Sequence, residues 1–346
     1  MMDLLKLSRI FLLLTIVAFL GCKEEKTNEI VENRISGPAL GTSYNLIYVT
    51  DKEIDFQAEI DSIFDVMNLS LSTYIPISDI SKVNDGDTTL VIDKMFQEVF
   101  QLSKEITRQT NGYFDPTVGT LVNAWGFGPG KQIQLDSVKV DSLLQYVGFN
   151  KVELTSENTI RKNKNIKFDF NAIAKGYAID RLAVMLDKKG IENYLLEVGG
   201  EVVAKGKNKL KRKQWTAGVN DPTIEDRNAY RAAVYLKDVA MASSGNYRHF
   251  RVDEKTGEKY VHTVNPKTGY TKNSKVLGAT VIAQNCAKAD GYATAFMAMD
   301  LSETKKVLEN TKGLEVYIVY MDDKGETQDF MTDGFRNLLF TSEQQE

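Results

Sequence analysis

The stretch that decides the fold is Phe168-Asp-Phe-Asn-Ala-Ile-Ala-Lys-Gly-Tyr-Ala-Ile-Asp180. Its first residues are typical of a strand, and helical periodicity then continues through Leu182 and Leu186. We therefore expect a strand that breaks into a glycine-containing turn and enters a helix that ends near Gly190. Small residues beside Gly176 allow a ligand to approach the backbone, and the amides of a helix start favour an anion. A tightly packed strand–helix joint without a ligand is the alternative.

A second segment, Asp290-Gly-Tyr-Ala-Thr294, opens another predicted helix directly after the apolar run 276–283. Asp290 and Thr294 are four residues apart, so their side chains share one helix face. A carboxylate and a hydroxyl are hard oxygen ligands that suit Mg²⁺, whose shell is completed by water and substrate phosphate. Alternatively, Asp290 only complements the positive end of the helix and Thr294 is packed.

Strands and helices mingle along the chain without a regular βαβ rhythm, which favours an α+β fold with mixed sheets. No G-x-G-x-x-G follows a strand and no G-x-x-x-x-G-K-[ST] occurs, so Rossmann and P-loop nucleotide sites are not supported. The predicted strands are 43–49, 194–198, 215–219, 232–236, 276–283, 316–321 and 327–331, and the predicted helices include 60–67, 96–106, 179–186 and 289–299.

The N-terminus predicts export rather than a folded element. A basic start precedes the apolar residues 10–20, a run that is too short to span a bilayer and is typical of a secretory signal. Phe19-Leu-Gly-Cys22 resembles a bacterial lipobox, in which the cysteine is lipidated and becomes the mature N-terminus. We therefore divide the chain into a signal peptide (1–22), a flexible tether (23–34) and a folded domain (35–340). An uncleaved anchor or an ordinary signal is the alternative.

Composition excludes two classes of protein. The 346 residues carry a formal net charge of -4 without a basic stripe, which argues against nucleic acid. The only two cysteines are Cys22 and Cys286, so lipidation of Cys22 leaves no disulfide framework. Cys286 follows an apolar run and is expected to be a buried, inert thiol.

The segment 110–117 is predicted to be a structured loop, because Gly112 and a proline interrupt it after a helix. Tyr113 and Phe114 would form a stacking wall for a planar ring, although half-buried aromatic residues are common in loops. Asp115 is held extended by the following proline and would either cap a turn or bond an N–H of a heterocycle.

The two histidines, His249 and His262, lie close together in the sequence. A histidine is the simplest general base for a hydroxyl nucleophile, although a structural histidine is the alternative. The sequence has no G-x-S-x-G and no H-E-x-x-H, so the common hydrolase and zinc-protease templates do not apply.

Together and in this order, the segments resemble the ApbE family of FAD:protein FMN transferases. The resemblance covers residues 37–300 or so. The matching blocks are Pro38-Ala-Leu-Gly-Thr42, Leu71-Ser-Thr-Tyr74, 110–121, 168–180, Val198-Gly-Gly200, 215–222, Ala242-Ser-Ser-Gly245, 262–269 and 289–294.

The resemblance implies a T-fold-like architecture of two intimately joined α/β subdomains and assigns the site. It implies that Mg²⁺ is held by the Ala174 carbonyl, the Asp290 carboxylate, the Thr294 hydroxyl and backbone oxygen near Ala293. It makes His262 the acceptor of the hydroxyl proton. Its flavin and adenine contacts correspond to Leu40, Tyr74, Tyr113, Phe114, Asp115, Asn171, Tyr177 and Val264.

The activity implied by the resemblance is Mg²⁺-dependent transfer of FMN from FAD to a Thr or Ser hydroxyl of another protein, with release of AMP. The implied partner is a subunit of an exported electron-transfer complex, met at the cell envelope by a lipid-anchored enzyme. Two alternatives stay open: an FAD pyrophosphatase in which water attacks, and a non-catalytic FAD-binding lipoprotein.

Overall fold

The structure, a computed structural model, describes residues 30–224, 226, 229–245, 250–252, 259–261, 263–271 and 275–340. The predicted signal peptide and its Cys22 lie outside these residues. The helices are α1 (Gln57–Leu71), α2 (Asp79–Asp85), α3 (Lys94–Gln109), α4 (Gly119–Trp125), α5 (Ser137–Leu144), α6 (Asn171–Lys188), α7 (Cys286–Ala298), α8 (Leu301–Asn310) and α9 (Asp333–Asn337), with a 3₁₀ turn at Phe149–Lys151.

The strands that form one large sheet are β1 (Val31–Ala39), β2 (Thr42–Thr50), β5 (Tyr194–Val198), β6 (Glu201–Lys205), β9 (Val239–Gly245), β12 (Val276–Ala283), β13 (Glu315–Met321) and β14 (Thr327–Met331). Smaller pairs are β3 (Glu153–Leu154) with β4 (Ile160–Arg161), β7 (Trp215–Asn220) with β8 (Tyr230–Leu236), and β10 (Phe250–Val252) with β11 (Lys259–Val261).

The large sheet has the strand order β1-β2-β5-β6-β9-β12-β13-β14. Every neighbouring pair in it is antiparallel, so the α+β class is confirmed but the expectation of mixed sheets is corrected. The pairing of β6 with β9 joins the two halves of the chain, so the two expected subdomains share one sheet.

The predicted boundary of the tether at residue 34 is wrong. Strand β1 begins at Val31, which pairs with Thr50 at the far end of the β1–β2 hairpin. The polar side chains of residues 32–34 suggested a tether, but their backbone pairs with β2 on one side, as in an edge strand, and residue 34 points to solvent.

Apolar side chains cover both faces of the sheet. The larger core packs α1, α3, α6 and α7 against one face and includes Phe96, Phe168 and Phe296. A smaller core on β7, β8 and α9 includes Trp215 and Phe335. Within the described part of the chain, no helix has the length and apolar character needed to cross a membrane.

The decisive segment folds differently at its start from what the sequence predicts. Residues 168–170 form no strand, because Phe168 exchanges two hydrogen bonds with the Asn84 side chain and the Asp169 amide donates to the Pro116 carbonyl. These side-chain and loop partners replace those of a sheet. Helix α6 then begins at Asn171 without a glycine turn, and Gly176 lies inside the helix.

Candidate active site

Gly176 brings α6 and α7 into close, antiparallel contact. A Cβ placed on Gly176 would lie 2.5 Å from the backbone oxygen of Cys286, so a larger residue would force the helices apart. Gly176 also contacts Asp290, which lies one turn after Cys286 on α7. The Gly176 amide donates to Asp290 Oδ2 at 3.1 Å. The glycine that suggested a ligand-binding turn therefore serves helix packing.

Asp290 is a buried carboxylate within a group of charges. It is 3 % exposed, and among the described residues its hydrogen-bond partner is the Gly176 amide. Burial and then the negative charge of Glu201 raise the pKa of Asp290 well above its usual range, while the Lys175 ammonium opposes this shift. Lys175 Nζ lies 2.7 Å from Glu201 Oε1.

Asp290 does not act at the end of its helix, so that alternative is wrong. Helix α7 begins at Cys286, three residues before the predicted start, and the Asn285 side chain caps it by accepting from the Lys288 amide. The carboxylate at this helix start is Asp180, which accepts from the amides of Cys286 and Ala287 at 2.8 and 2.9 Å. Burial raises the pKa of Asp180 to about 6.

Thr294 lies one turn beyond Asp290 on α7, and its hydroxyl is 3.4 Å from that of Ser244 in β9. Ala174 precedes Gly176 by two residues on the facing helix, and Ala293 is buried beside Thr294. Asp290, Ala293 and Thr294 thus lie on α7 and Ala174 lies on α6, the helix whose Gly176 amide contacts Asp290, and their joint role as ligands stays a prediction. They fit a hard cation: one buried carboxylate retains acceptor capacity beside a hydroxyl. In the described ranges, no cluster of three or more His, Cys, Asp or Glu residues would hold a metal.

The start of α6 presents another part of the predicted site. The Asn171 residue is exposed, and its backbone N–H donates to Asp169 Oδ1 at 2.8 Å. Tyr74 is 60 % exposed and lies near enough to Asp169 for the two groups to interact electrostatically. Burial raises the pKa of the Asp169 carboxyl. The exposed residue Asn171 and the exposed phenol ring of Tyr74 therefore lie near the buried carboxyl of Asp169.

Leu40 occupies the tight turn between β1 and β2 with a φ of 49°, in the left-handed region that few leucines adopt. It packs against the edge of the large core. The same hairpin approaches the Gly199–Gly200 turn, where Thr42 Cγ2 would lie 2.7 Å from a Cβ on Gly199. That turn leads directly into Glu201, so the hairpin adjoins the charged group.

The loop at 110–118 uses Asp115 internally. Asp115 Oδ1 accepts from the amide and hydroxyl of Thr117, and Oδ2 accepts from the Phe149 amide at 2.9 Å. The turn-capping interpretation is confirmed. The predicted bond from this carboxylate to a heterocycle stays a prediction, and Oδ2, which accepts one bond here, is the oxygen with acceptor capacity left.

Two aromatic residues of this loop differ in availability. Phe114 is 3 % exposed and lies 3.6 Å from the Cβ position of Gly291, next to Asp290. Tyr113 is half-buried, with Lys267 Nζ 4.5 Å from its ring centre. Tyr113 can therefore offer a planar ligand only the face that Lys267 does not occupy.

Val264 lies in the segment 263–271, which packs beside this loop. It is buried with Leu121, and the Trp125 indole donates to the Gly269 carbonyl at 2.9 Å. The Asn265 side-chain amide donates to the Ala298 carbonyl at the end of α7.

His262 and His249 lie outside the described residues, so the general base stays a prediction.

Tyr177 is engaged elsewhere. Its hydroxyl donates to Glu98 of α3, and the Arg181 guanidinium carbon lies 5.0 Å from its ring centre. The described contacts do not bring its side chain together with the other predicted ligand residues.

Cys286 is fully buried, as predicted, and burial raises the pKa of its thiol.

A family model described as the ApbE family matches residues 40–318. The chain belongs to the ApbE family. It is 32% identical to an FAD:protein FMN transferase of Haemophilus influenzae over 326 residues, which cover 89% of this chain and 92% of that protein.

Solved ApbE structures share the fold. The flavin transferase ApbE of Vibrio cholerae superposes with a TM-score of 0.80 at 29% identity, covering 90% of this chain and 100% of the other. The apo flavinyl transferase ApbE of Pseudomonas stutzeri gives a TM-score of 0.79 at 25% identity, covering 90% and 98%.

Sequence reasoning missed three acids near this ApbE site: Glu201, Asp180 and Asp169. Glu201 follows a pair of glycines and begins an apolar strand. An acidic residue at such a position was the sequence signal that could have indicated a functional role. Asp180 and Asp169 lie inside the decisive segment itself, but only the fold shows which backbone amides they accept from.

Proposed function

We propose that this protein transfers the FMN portion of FAD to a Ser or Thr hydroxyl of an acceptor protein and releases AMP. The hydroxyl oxygen bonds to the FMN-side phosphorus, the phosphoanhydride bond breaks, and the hydroxyl proton passes to a base. The observation that carries this proposal is the α6–α7 contact, where the buried Asp290 carboxylate accepts from the Gly176 amide of α6 and Thr294 follows one turn later on α7. Membership of the ApbE family and the names of its relatives support it.

We propose that Mg²⁺ binds at this contact. The Asp290 carboxylate, the Thr294 hydroxyl and the Ala174 carbonyl would hold it, with backbone oxygen near Ala293. When bound, the metal supplies a positive charge that neutralises the diphosphate and the leaving AMP. Asp290 is suited to this role because it is buried and retains acceptor capacity.

The residues around this contact are suited to binding the two ring systems of FAD. Tyr74 and Asn171 offer an exposed ring and amide at the start of α6, and Leu40 lies in the neighbouring hairpin turn. Tyr113 offers one ring face, and Phe114 and Val264 close the apolar side of the loop.

Three outcomes of one assay separate this activity from its alternatives. The purified protein is incubated with FAD, Mg²⁺ and a candidate acceptor subunit, beside an acceptor whose target Thr or Ser is replaced by Ala. A fluorescent band on a denaturing gel, absent from the Ala acceptor, is the expected result. Release of AMP and free FMN without labelled protein would indicate a pyrophosphatase, and bound intact FAD would indicate storage.

We propose that His262 accepts the proton of the attacking hydroxyl. His262→Ala should then lower the transfer rate by about a hundredfold or more while the affinity for FAD changes little. His249→Ala is the matched control, because it removes the chain's other histidine. An unchanged rate in His262→Ala would remove this residue from the mechanism.

We also propose that Cys22 is lipidated and that the enzyme acts at the bacterial cell envelope. It would face the periplasm, where an exported electron-transfer subunit is its acceptor. Cys22→Ser should shift the protein from the detergent phase to the aqueous phase in a phase-partition experiment, since the lipid provides the anchor. Retention in the detergent phase would contradict lipidation at this residue.

A further inference from the structure

Glu201 has an unusual environment for an acidic residue. Its side chain is 1% exposed at the first position of β6. Oε1 accepts from Lys175, while Oε2 is buried and has no hydrogen-bond partner among the described residues. A buried carboxylate oxygen without a partner is costly, so its retention calls for an explanation beyond packing.

The ion pair with Lys175 explains only part of this environment. It connects β6 to α6, but an ion pair with a fully buried carboxylate stabilises a fold poorly, because desolvation of that charge offsets the attraction. An apolar contact would join the same two elements at lower cost. The position of the pair beside Asp290 points instead to an electrostatic role.

Lys175 is placed to compete for Asp290. It directly precedes Gly176, whose amide contacts Asp290, and its ammonium charge acts on the Asp290 carboxylate. A lysine side chain is long and flexible, so it can move between nearby carboxylates. An ammonium bound to Asp290 would offset the charge that attracts a divalent cation.

We propose that Glu201 is a positioning residue for the cation site: it binds the Lys175 ammonium and thereby leaves Asp290 to a divalent cation. The inference rests on the proposed metal site. The three side chains together carry one net negative charge. A divalent cation reverses that sign, so the site then attracts the negatively charged diphosphate of the dinucleotide.

Cation binding by Glu201→Gln tests this role without an activity assay. The probe is Mn²⁺, which prefers the same oxygen ligands as Mg²⁺ and whose free ion is counted by electron paramagnetic resonance. The purified full chain is titrated at fixed pH with saturating FAD. We expect Glu201→Gln to weaken Mn²⁺ binding by about tenfold, because Lys175 is released towards Asp290.

The double variant Glu201→Gln/Lys175→Met decides the mechanism. Without the ammonium there is no competitor, so Mn²⁺ affinity should return to within about threefold of the unmodified protein. Lys175→Met alone should bind Mn²⁺ at least as tightly as the unmodified protein. This single variant tests the proposal even if Glu201→Gln fails to fold.

Glu59→Gln is the matched control. It removes a carboxylate from the Lys189–Glu59 pair, which has the same 2.7 Å separation but lies at the surface. Its Mn²⁺ affinity should not change. Unchanged affinity in Glu201→Gln, no recovery in the double variant, or weaker binding in Lys175→Met would each overturn the role of Glu201. If the unmodified protein binds FAD but no Mn²⁺, the metal site itself is refuted and the inference with it.

Discussion

The 110–118 loop and the α6–α7 contact each bury an aspartate, but they use its carboxylate differently. Asp115 accepts three hydrogen bonds from Thr117 and Phe149, and both of its oxygens are engaged. Asp290 accepts one from Gly176 and lies near a second buried acid, Glu201. Burial raises the pKa of both carboxyls, so burial by itself does not separate them.

The difference between the two aspartates lies in unused acceptor capacity. A carboxylate has about four lone-pair sites, and a folded loop can occupy most of them. The fold thus uses most of the acceptor capacity of Asp115, whereas most of that of Asp290 stays available for a cation. The following substitutions test this distinction, beginning with the largest expected effect.

Asp290→Asn should lower FMN transfer by at least about a thousandfold, because the amide replaces the only charged ligand of the proposed cation site. Its thermal unfolding temperature should stay close to that of the unmodified protein, since the asparagine oxygen can still accept from the Gly176 amide. Gel fluorescence of the acceptor measures the rate. Full activity in this variant would contradict the metal assignment and erase the distinction between the two aspartates.

Asp115→Asn should instead act on stability. Its side-chain amide cannot accept all three bonds, so the free energy of unfolding should fall by about 1–3 kcal/mol. The transfer rate per folded molecule should change by less than about threefold, which is small beside the loss expected for Asp290→Asn. Urea unfolding followed by circular dichroism gives the first quantity. A large rate loss with unchanged stability would make Asp115 a ligand residue.

Gly176→Ala should lower the free energy of unfolding by about 1–3 kcal/mol, because the new Cβ meets the Cys286 carbonyl. Helix propensity alone predicts the opposite sign, a gain of about 1 kcal/mol. Urea unfolding distinguishes the two signs. Stabilisation would show that the helices can separate without cost.

Asp180 should give the smallest effect, visible in the pH dependence of stability. Burial raises its pKa in the folded protein from 3.8 to about 6, so the folded state holds this proton more tightly than the unfolded chain. Its contribution to stability is therefore present at low pH and is lost as the pH rises through 6. Between pH 5 and 7 the loss should be roughly 1 kcal/mol.

Asp180→Asn provides the comparison for that measurement. The asparagine does not titrate, so the stability of the unmodified protein relative to the variant should fall by roughly 1 kcal/mol as the pH rises from 5 to 7. Urea unfolding at several pH values measures it. A difference that is independent of pH would place the pKa of Asp180 near its ordinary value.

Sequence periodicity predicted much of the secondary structure. The helices at 60–67 and 179–186 are confirmed, because each repeats its apolar residues with the helical period. The hairpin at 316–331 is also confirmed, because an apolar run is followed by the turn residues 322–325. Two segments that lack a clear apolar pattern were predicted wrongly or not at all. Strand β1 has a polar start, and residues 168–170 receive their hydrogen bonds from a side chain and a loop.

The sequence by itself determined the α+β class, the ApbE resemblance and the pairing of Asp290 with Thr294, because these depend on residue order and helical spacing. Only the tertiary structure decided that Gly176 joins two helices, that Asp115 is engaged within its own loop, and that Glu201 and Lys175 lie beside Asp290. Those facts depend on contacts between backbone groups and charges that are far apart in the sequence, and local sequence patterns do not predict such contacts.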